Sequence, residues 1–451
     1  MKSDTHQADI SPFSIPNIRL FIAFKVLFNS RFYYPVFTIL FLDFGLTVAE
    51  FSILNALWAA TIVLAEVPSG ALADIFGRKK LLVLATMIMV VEIGIISFVP
   101  RISPSLIFIV FSINRILSGL AEASASGADE ALAYDSLVQN NLEQHWGKVL
   151  AYTTRFQSIG FIISMSIGAA VYDPALLEKI LTFMGVVTHL TQETTMRFPL
   201  YLTFIMSIFA LITTLQMKDV NLDSSTGKAL PENKQVKHAF SLTLKAGIWI
   251  LKTPFVFVII LFGMLFDGII RVVITLSSQY YRLIELPESV FGIIGSTVAM
   301  LGLFIPGIAN KIATTRSPSF GLWVTFILSA TGLFGMSRFW PYSGLIPALI
   351  TFSAMYFTGF FVSYYVNQAT ASEQRATILS FKGLSYNISY GVLGILYALL
   401  LKFKKENINI PNPENIVFMD TFVWFPGTFM VLFILLLLLY VVWFKKKIAK
   451  I

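Results

Sequence analysis

Five polar or ionisable residues, Arg115, Ser118, Glu122, Ser126 and Asp129, recur at steps of three, four, four and three. On a helix of 3.6 residues per turn that spacing gathers them on one stripe. The stripe lies in an apolar segment, so it must face water or a partner helix. An ionisable side chain near mid-bilayer costs at least about 2.5 kcal/mol, which makes each such residue a candidate for function. Counting about 1.5 Å per residue from each helix start gives the deep set Arg31, Glu92, Arg115, Glu122, Asp267 and Arg271.

Their chemistry divides by sign. Glu122, Asp129, Glu92 and Asp267 are candidate proton carriers, because desolvation moves a carboxyl toward the physiological range. Arg31, Arg115 and Arg271 are candidate holders of an anionic solute. Asn29, Tyr33, Tyr356, Tyr364 and Asn367 add the hydroxyl and amide groups that suit a cavity for an amphipathic solute. Tyr364 and Asn367, with Tyr365 and Gln368, fit an interfacial belt equally well. A structural network competes with all of this. Arg115 and Glu122 lie two turns apart, about 10 Å, so each needs another partner; Arg31 with Glu122, or Glu92 with Arg115, are the candidate pairs. Asp267 and Arg271, at i and i+4, can satisfy each other. Arg31 lies about 200° round a helix from Asn29, so they do not line one cavity, and Lys25 is placed to snorkel.

Other chemistry has no visible site. His6, His145, His189 and His238 fall outside the apolar segments, and neither H-E-x-x-H nor G-x-S-x-G occurs. No G-x-x-x-x-G-K-[ST] loop exists to take ATP. The absence of Cys excludes disulfides and thiolate metal sites. No cofactor is expected. The 451 residues are 56% hydrophobic and only 13% charged, with 42 Phe. Average soluble chains carry about twice that charge. Runs of 18 or more apolar residues recur along the chain, which excludes a soluble enzyme, a disordered scaffold and a nucleic-acid-binding protein.

The elements that position these residues are apolar spans near 18–43, 47–72, 80–99, 105–128, 148–172, 199–217, 254–277, 289–311, 318–338, 343–368, 376–401 and 418–444. Each meets the roughly 20 residues needed to cross a bilayer. The N-terminus leads into a span too long for a signal-peptide core, so no cleaved segment is expected. The polar stretch 218–252 holds six Lys; its first part reads as a linker, and 236–251 as an interfacial helix. Alternate loops from the N-terminus hold nineteen Lys and Arg against eight on the other side, counting Lys382 in a loop. The net charge of +8 is thus a topology signal that places both termini and the linker in the cytoplasm. Gly70 and Gly307 follow a Pro and precede a basic loop in their respective halves, a weak internal repeat.

The stretch Gly70-Ala71-Leu72-Ala73-Asp74-Ile75-Phe76-Gly77-Arg78-Lys79-Lys80 resembles the signature loop of the major facilitator superfamily, and Arg115-x-x-x-Gly119-x-x-x-Ala123 is similar to that family's helix-4 motif. The physics of the loop stands beside the likeness: Gly70 permits close helix approach, Asp74 can favour a helix N-terminus or pair with Arg78, and Gly77 supplies a turn. Arg78 and Lys79 face anionic lipid or the other half. The resemblance implies an all-α polytopic membrane protein of twelve transmembrane helices in two six-helix bundles, 1–217 and 253–451, joined by the cytoplasmic linker 218–252. It implies a monomeric secondary transporter of the bacterial inner membrane, working by alternating access on a small-molecule substrate, with protons as coupling ion. Gly70, Asp74, Gly77, Arg78 and Lys79 would form its conformational latch. Gly160–Gly168 lacks the Pro of the proton-exchanging exporters' motif, and the second-half loop has Asn310 and Lys311 where Asp74 stands in the first. Multidrug or metabolite efflux, movement of a carboxylate metabolite or siderophore, and a non-transporting receptor on the same fold stay open.

Overall fold

The computed structural model describes residues 11–220, 241, 244–245, 247–370, 372–408 and 413–441, without the side chains of 70, 71, 74, 75 and 372–377. Among the described residues every regular element is helical. The N-terminal half holds α1 (Pro16–Asn29), α2 (Phe37–Asp43), α3 (Val48–Phe76), α4 (Arg78–Phe98), α5 (Pro104–Ala125), α6 (Ala128–Val138), α7 (Trp146–Tyr172), α8 (Pro174–Phe183), α9 (Gln192–Thr195) and α10 (Phe198–Gln216). The C-terminal half holds α11 (Pro254–Thr275), α12 (Ser277–Leu283), α13 (Phe291–Thr315), α14 (Pro318–Met336), α15 (Leu345–Ala369), α16 (Ser372–Glu406), α17 (Glu414–Phe422) and α18 (Trp424–Leu439).

Local sequence explains most boundaries. Pro opens α1, α5, α8, α11 and α14, where its missing N–H has no helical partner to lose. Thr47 and Glu50 form a reciprocal capping box at the start of α3.

Among the described residues ten helices are long and apolar enough to cross a membrane, or eleven if α7 and α8, bent 87° apart, count as one span. The expected span 18–43 is interrupted: α1 stops at Asn29, and Tyr34–Val36 forms a 3-10 turn around Pro35. Proline removes a helical donor there, so neither piece reaches spanning length. Residues 247–252 are helical; the rest of the expected linker and interfacial helix falls mostly outside the described residues.

Two seams join the halves. In one, α3 packs on α16; in the other, α7 packs on α13. Gly292 permits the second: a Cβ there would lie 2.2 Å from the Met165 carbonyl oxygen, so only glycine lets the helices come this close. Within the N-terminal half, Phe41 makes edge contacts with Phe51 and Phe111 at 5.1 and 4.6 Å, locking α2 against α3 and α5.

Candidate functional site

A cavity of about 360 Å³ lies between the halves. Tyr34, Phe37, Asn55, Trp58, Arg115 and Phe161 line it from the N-terminal half, and Arg271, Thr275, Tyr281, Phe352, Tyr356 and Tyr390 from the C-terminal half. No Asp or Glu stands among the described residues that line it. The walls are therefore aromatic, with one guanidinium contributed by each half.

The two arginines differ in how their charge is answered. Arg115 is buried, and its guanidinium lies 5.4 Å from the Phe37 ring and 5.6 Å from the Trp58 ring. Those rings fix the group by cation–π attraction but accept none of its in-plane hydrogen bonds. Its Nε has no partner, and Arg115 makes no ion pair among the described residues. Arg271 instead pairs with Asp267 one turn back on α11, donates to Asn387 Oδ1 at 2.9 Å, and lies 5.4 Å from the Tyr390 ring. The cavity thus carries one positive charge without a local counter-ion.

Behind it sits a fully enclosed pair. Arg31 donates to Glu92 at 2.7 Å and to the Tyr33 hydroxyl at 3.1 Å, while Asn114 donates to the other Glu92 oxygen at 2.6 Å. This corrects both candidate pairings, Arg31 with Glu122 and Glu92 with Arg115. The reason is the break after Asn29: Arg31 lies in the gap between α1 and the turn at Tyr34, so helical angles measured from Asn29 do not apply to it.

The expected stripe on span 4 is also cut short. Helix α5 ends at Ala125 and Gly127 adopts φ +76°, a left-handed conformation that glycine tolerates. Asp129 therefore belongs to α6, where Lys25 meets it at 2.5 Å. Lys25 is held in this pair rather than snorkelling. Glu122 stays on α5, is exposed, and makes no ion pair among the described residues. Its charge acts on Arg31, Tyr34 and Glu92.

Of the remaining candidates for the cavity, Tyr356 lines it, its hydroxyl donating to the Val298 carbonyl at 3.0 Å. Arg31 and Tyr33 are buried away from it. Asn29 donates to the Lys25 carbonyl of its own helix at 2.8 Å. Tyr364 stacks on Phe360 at 5.8 Å, and the buried Asn367 Oδ1 has no partner among the described residues. Sequence reasoning missed Asn55, Trp58, Asn387 and Tyr390, since single polar or aromatic residues on apolar helices form no pattern. It also placed Lys382 in a loop, whereas Lys382 lies inside α16 and donates to Ser363 at 2.9 Å.

A second cluster closes the end of the molecule opposite the basic loops. Arg282 of α12 donates two hydrogen bonds across the seam to Asp43 of α2, at 2.9 and 2.8 Å. Within its own half Arg282 also donates to Glu288 at 2.8 and 2.5 Å, and Tyr172 donates to Asp43 within the other. The Ser289 amide donates across to Asp173 at 3.2 Å. Burial alone lowers the pKa of Arg282, but hydrogen bonding to Asp43 and the Asp43 and Glu288 charges outweigh it and raise the pKa. The guanidinium is charged at any physiological pH.

Residues 20–394 match the model of the Major Facilitator Superfamily. The chain belongs to that superfamily. Its fold is correspondingly close to solved transporters: the nucleoside transporter NupG, with a TM-score of 0.68, 14% identity, and 94% of this chain against 98% of the other covered. A bacterial homologue of the human lysosomal transporter Spinster, in an inward-facing and unoccupied conformation, gives a TM-score of 0.67 at 12% identity, covering 94% and 95%. The D-xylose-proton symporter gives 0.59 at 11%, covering 92% and 97%. No curated protein sequence matches the chain.

In this superfamily chain the signature loop is a sharp turn at Gly77, φ +94°, between α3 and α4. Arg78 pairs with Asp135 of α6 and donates to the Ala131 carbonyl at 3.0 Å, within its own half. The Lys79 amide donates to Asp219 at 3.3 Å. Gly70 and Asp74 lie on α3, and their side chains fall outside those described. His145 and His189 lie in connecting segments, while His6 and His238 fall outside the described residues.

Proposed function

We propose that this protein is a secondary active transporter that moves a small amphipathic organic anion by alternating access. One observation carries the reading: a central aromatic cavity with Arg115 on one wall, Arg271 on the other, and no acid among its described lining residues. Rings bury the apolar body of the solute, and Arg115 offers the planar fork that carboxylates match. The two halves, 1–217 and 253–451, rock against each other about this site, with both termini and the linker 218–252 in the cytoplasm. The Asp43–Arg282 cluster then holds the external end shut, which favours an inward-facing state.

Protons are the coupling ion in this proposal, and Glu122 is their carrier. Glu92, Asp129 and Asp267 are each held by a basic partner, whereas Glu122 is exposed and has none among the described residues. Proteoliposomes under an imposed pH gradient test both claims with radiolabelled amphipathic carboxylates and their amide and amine analogues. The carboxylates accumulate, Arg115→Lys weakens their binding because Lys lacks the bidentate fork, and Glu122→Gln removes the dependence on the gradient. Preference for the amines, or gradient-driven movement that survives Glu122→Gln, refutes the corresponding claim.

A further inference from the structure

Each terminal nitrogen of the Arg271 guanidinium already donates one hydrogen bond, one to Asp267 and one to Asn387. A substrate anion that approaches the nitrogen facing Asp267 competes with a carboxylate that is already there. Asp267 then needs somewhere to go, because a lone carboxylate in mid-membrane is costly.

A vacant partner lies one helical turn away. Gly263 and Asp267 are i and i+4 on α11 and so share a face. Against Gly263 rests the hydroxyl of Tyr386 from α16, so close that a Cβ at 263 would lie 1.9 Å from its oxygen. That hydroxyl is buried, Tyr386 being 7% exposed, and it has no hydrogen-bond partner among the described residues. A buried donor left unpaired is unfavourable and is rare in folded proteins. Lys382, one turn earlier on α16, sits 5.8 Å from the Tyr386 ring, and its charge acts on Asp267. Helical side chains lean toward the N-terminus of their helix. On α11 that direction takes Asp267 away from Arg271 and toward Tyr386.

We propose that Asp267 is a mobile counter-ion that switches between two seats. With the cavity empty it neutralises Arg271. When an anion takes Arg271, Asp267 changes rotamer, leaving Arg271 and turning toward the Tyr386 hydroxyl and the Lys382 ammonium. Asp267 remains ionised and partnered in both seats, so the exchange needs no proton. It also sets specificity: the solute must carry a group that competes with a tethered carboxylate, which favours full anions over neutral polar solutes. This inference rests on the anionic reading of the cavity.

The test measures binding of 1-naphthoate to the detergent-purified full chain by calorimetry, with 1-naphthamide as the neutral control. Asp267→Asn removes the competitor and tightens naphthoate binding at least about fivefold, the lower end of typical coupling between sites. Tyr386→Phe removes only a hydroxyl without a partner in the empty state, so thermal stability is kept while naphthoate binding weakens by a similar factor. Binding to Asp267→Asn that is unchanged or weaker in a folded variant overturns the switch, as does unchanged affinity in Tyr386→Phe. If Asp267→Asn fails to fold, Tyr386→Phe decides alone. Loss of naphthoate binding in Arg115→Gln together with no gain in Asp267→Asn discards the switch and keeps the anionic reading. Absence of naphthoate binding to the parent chain and to Asp267→Asn alike overturns both.

Discussion

Replacing Asp43 by Asn removes the charge that ties α2 to Arg282 across the seam, and the structure allows its effect to be sized. The bridge consists of two hydrogen bonds of 2.9 and 2.8 Å to a guanidinium 31% exposed. Charge-assisted bonds of this kind contribute about 1.5–3 kcal/mol when buried, and partial exposure discounts that toward the surface range. Parting the halves also strands neither group: Arg282 keeps Glu288, and Asp43 keeps Tyr172. A net bias of about 1–2 kcal/mol toward closure of the end opposite the basic loops follows, so Asp43→Asn shifts the conformational equilibrium roughly 5- to 30-fold toward opening there. Glu288→Gln acts in the opposite direction, since it deprives the parted Arg282 of its remaining partner. The chain has no Cys, so Ile102→Cys and Ile346→Cys, both exposed, give a clean pair of spin-label sites on the two halves. Distance distributions should lengthen in Asp43→Asn and shorten or sharpen in Glu288→Gln. Distributions that coincide with the parent, or two variants that move the same way, would refute the closing role of the Asp43–Arg282 bridge.

Two further perturbations probe the packing. Glu92→Gln leaves Arg31 buried without its counter-charge, which lowers stability by about 3–5 kcal/mol; thermal unfolding in detergent should show the loss, and the double change Arg31→Met with Glu92→Leu should recover part of it. Gly292→Ala places a Cβ 2.2 Å from the Met165 carbonyl oxygen. It should pry α13 from α7 and open the end opposite the basic loops in the same spin-label assay, and an unchanged distance would show that the seam yields without separating.

The signature loop was readable because a short motif fixes a turn locally, and Gly77 indeed separates two helices there. The span-4 stripe was readable only in part. Arg115 reaches the cavity, yet a single glycine at 127 sends Asp129 to a different helix and to Lys25. The Asp267–Arg271 pair was foreseeable, since i and i+4 spacing brings both ends together on one helix. Asp43, Tyr172, Arg282 and Glu288 escaped notice, because each stands alone near a helix end and they meet only when four segments converge.

Composition, apolar run length and the loop motif determined that this is an all-helical membrane protein of the major facilitator type. Those signals are local or summed along the chain, and solvation by lipid enforces them wherever the helices end up. Which arginine remains unanswered in the cavity, and which carboxylate is sealed away with Arg31, depended on the break after Asn29 and on how α4 and α5 pack beside it. Ion pairing in a low-dielectric interior is decided over a few ångströms. Only the tertiary structure sets those distances.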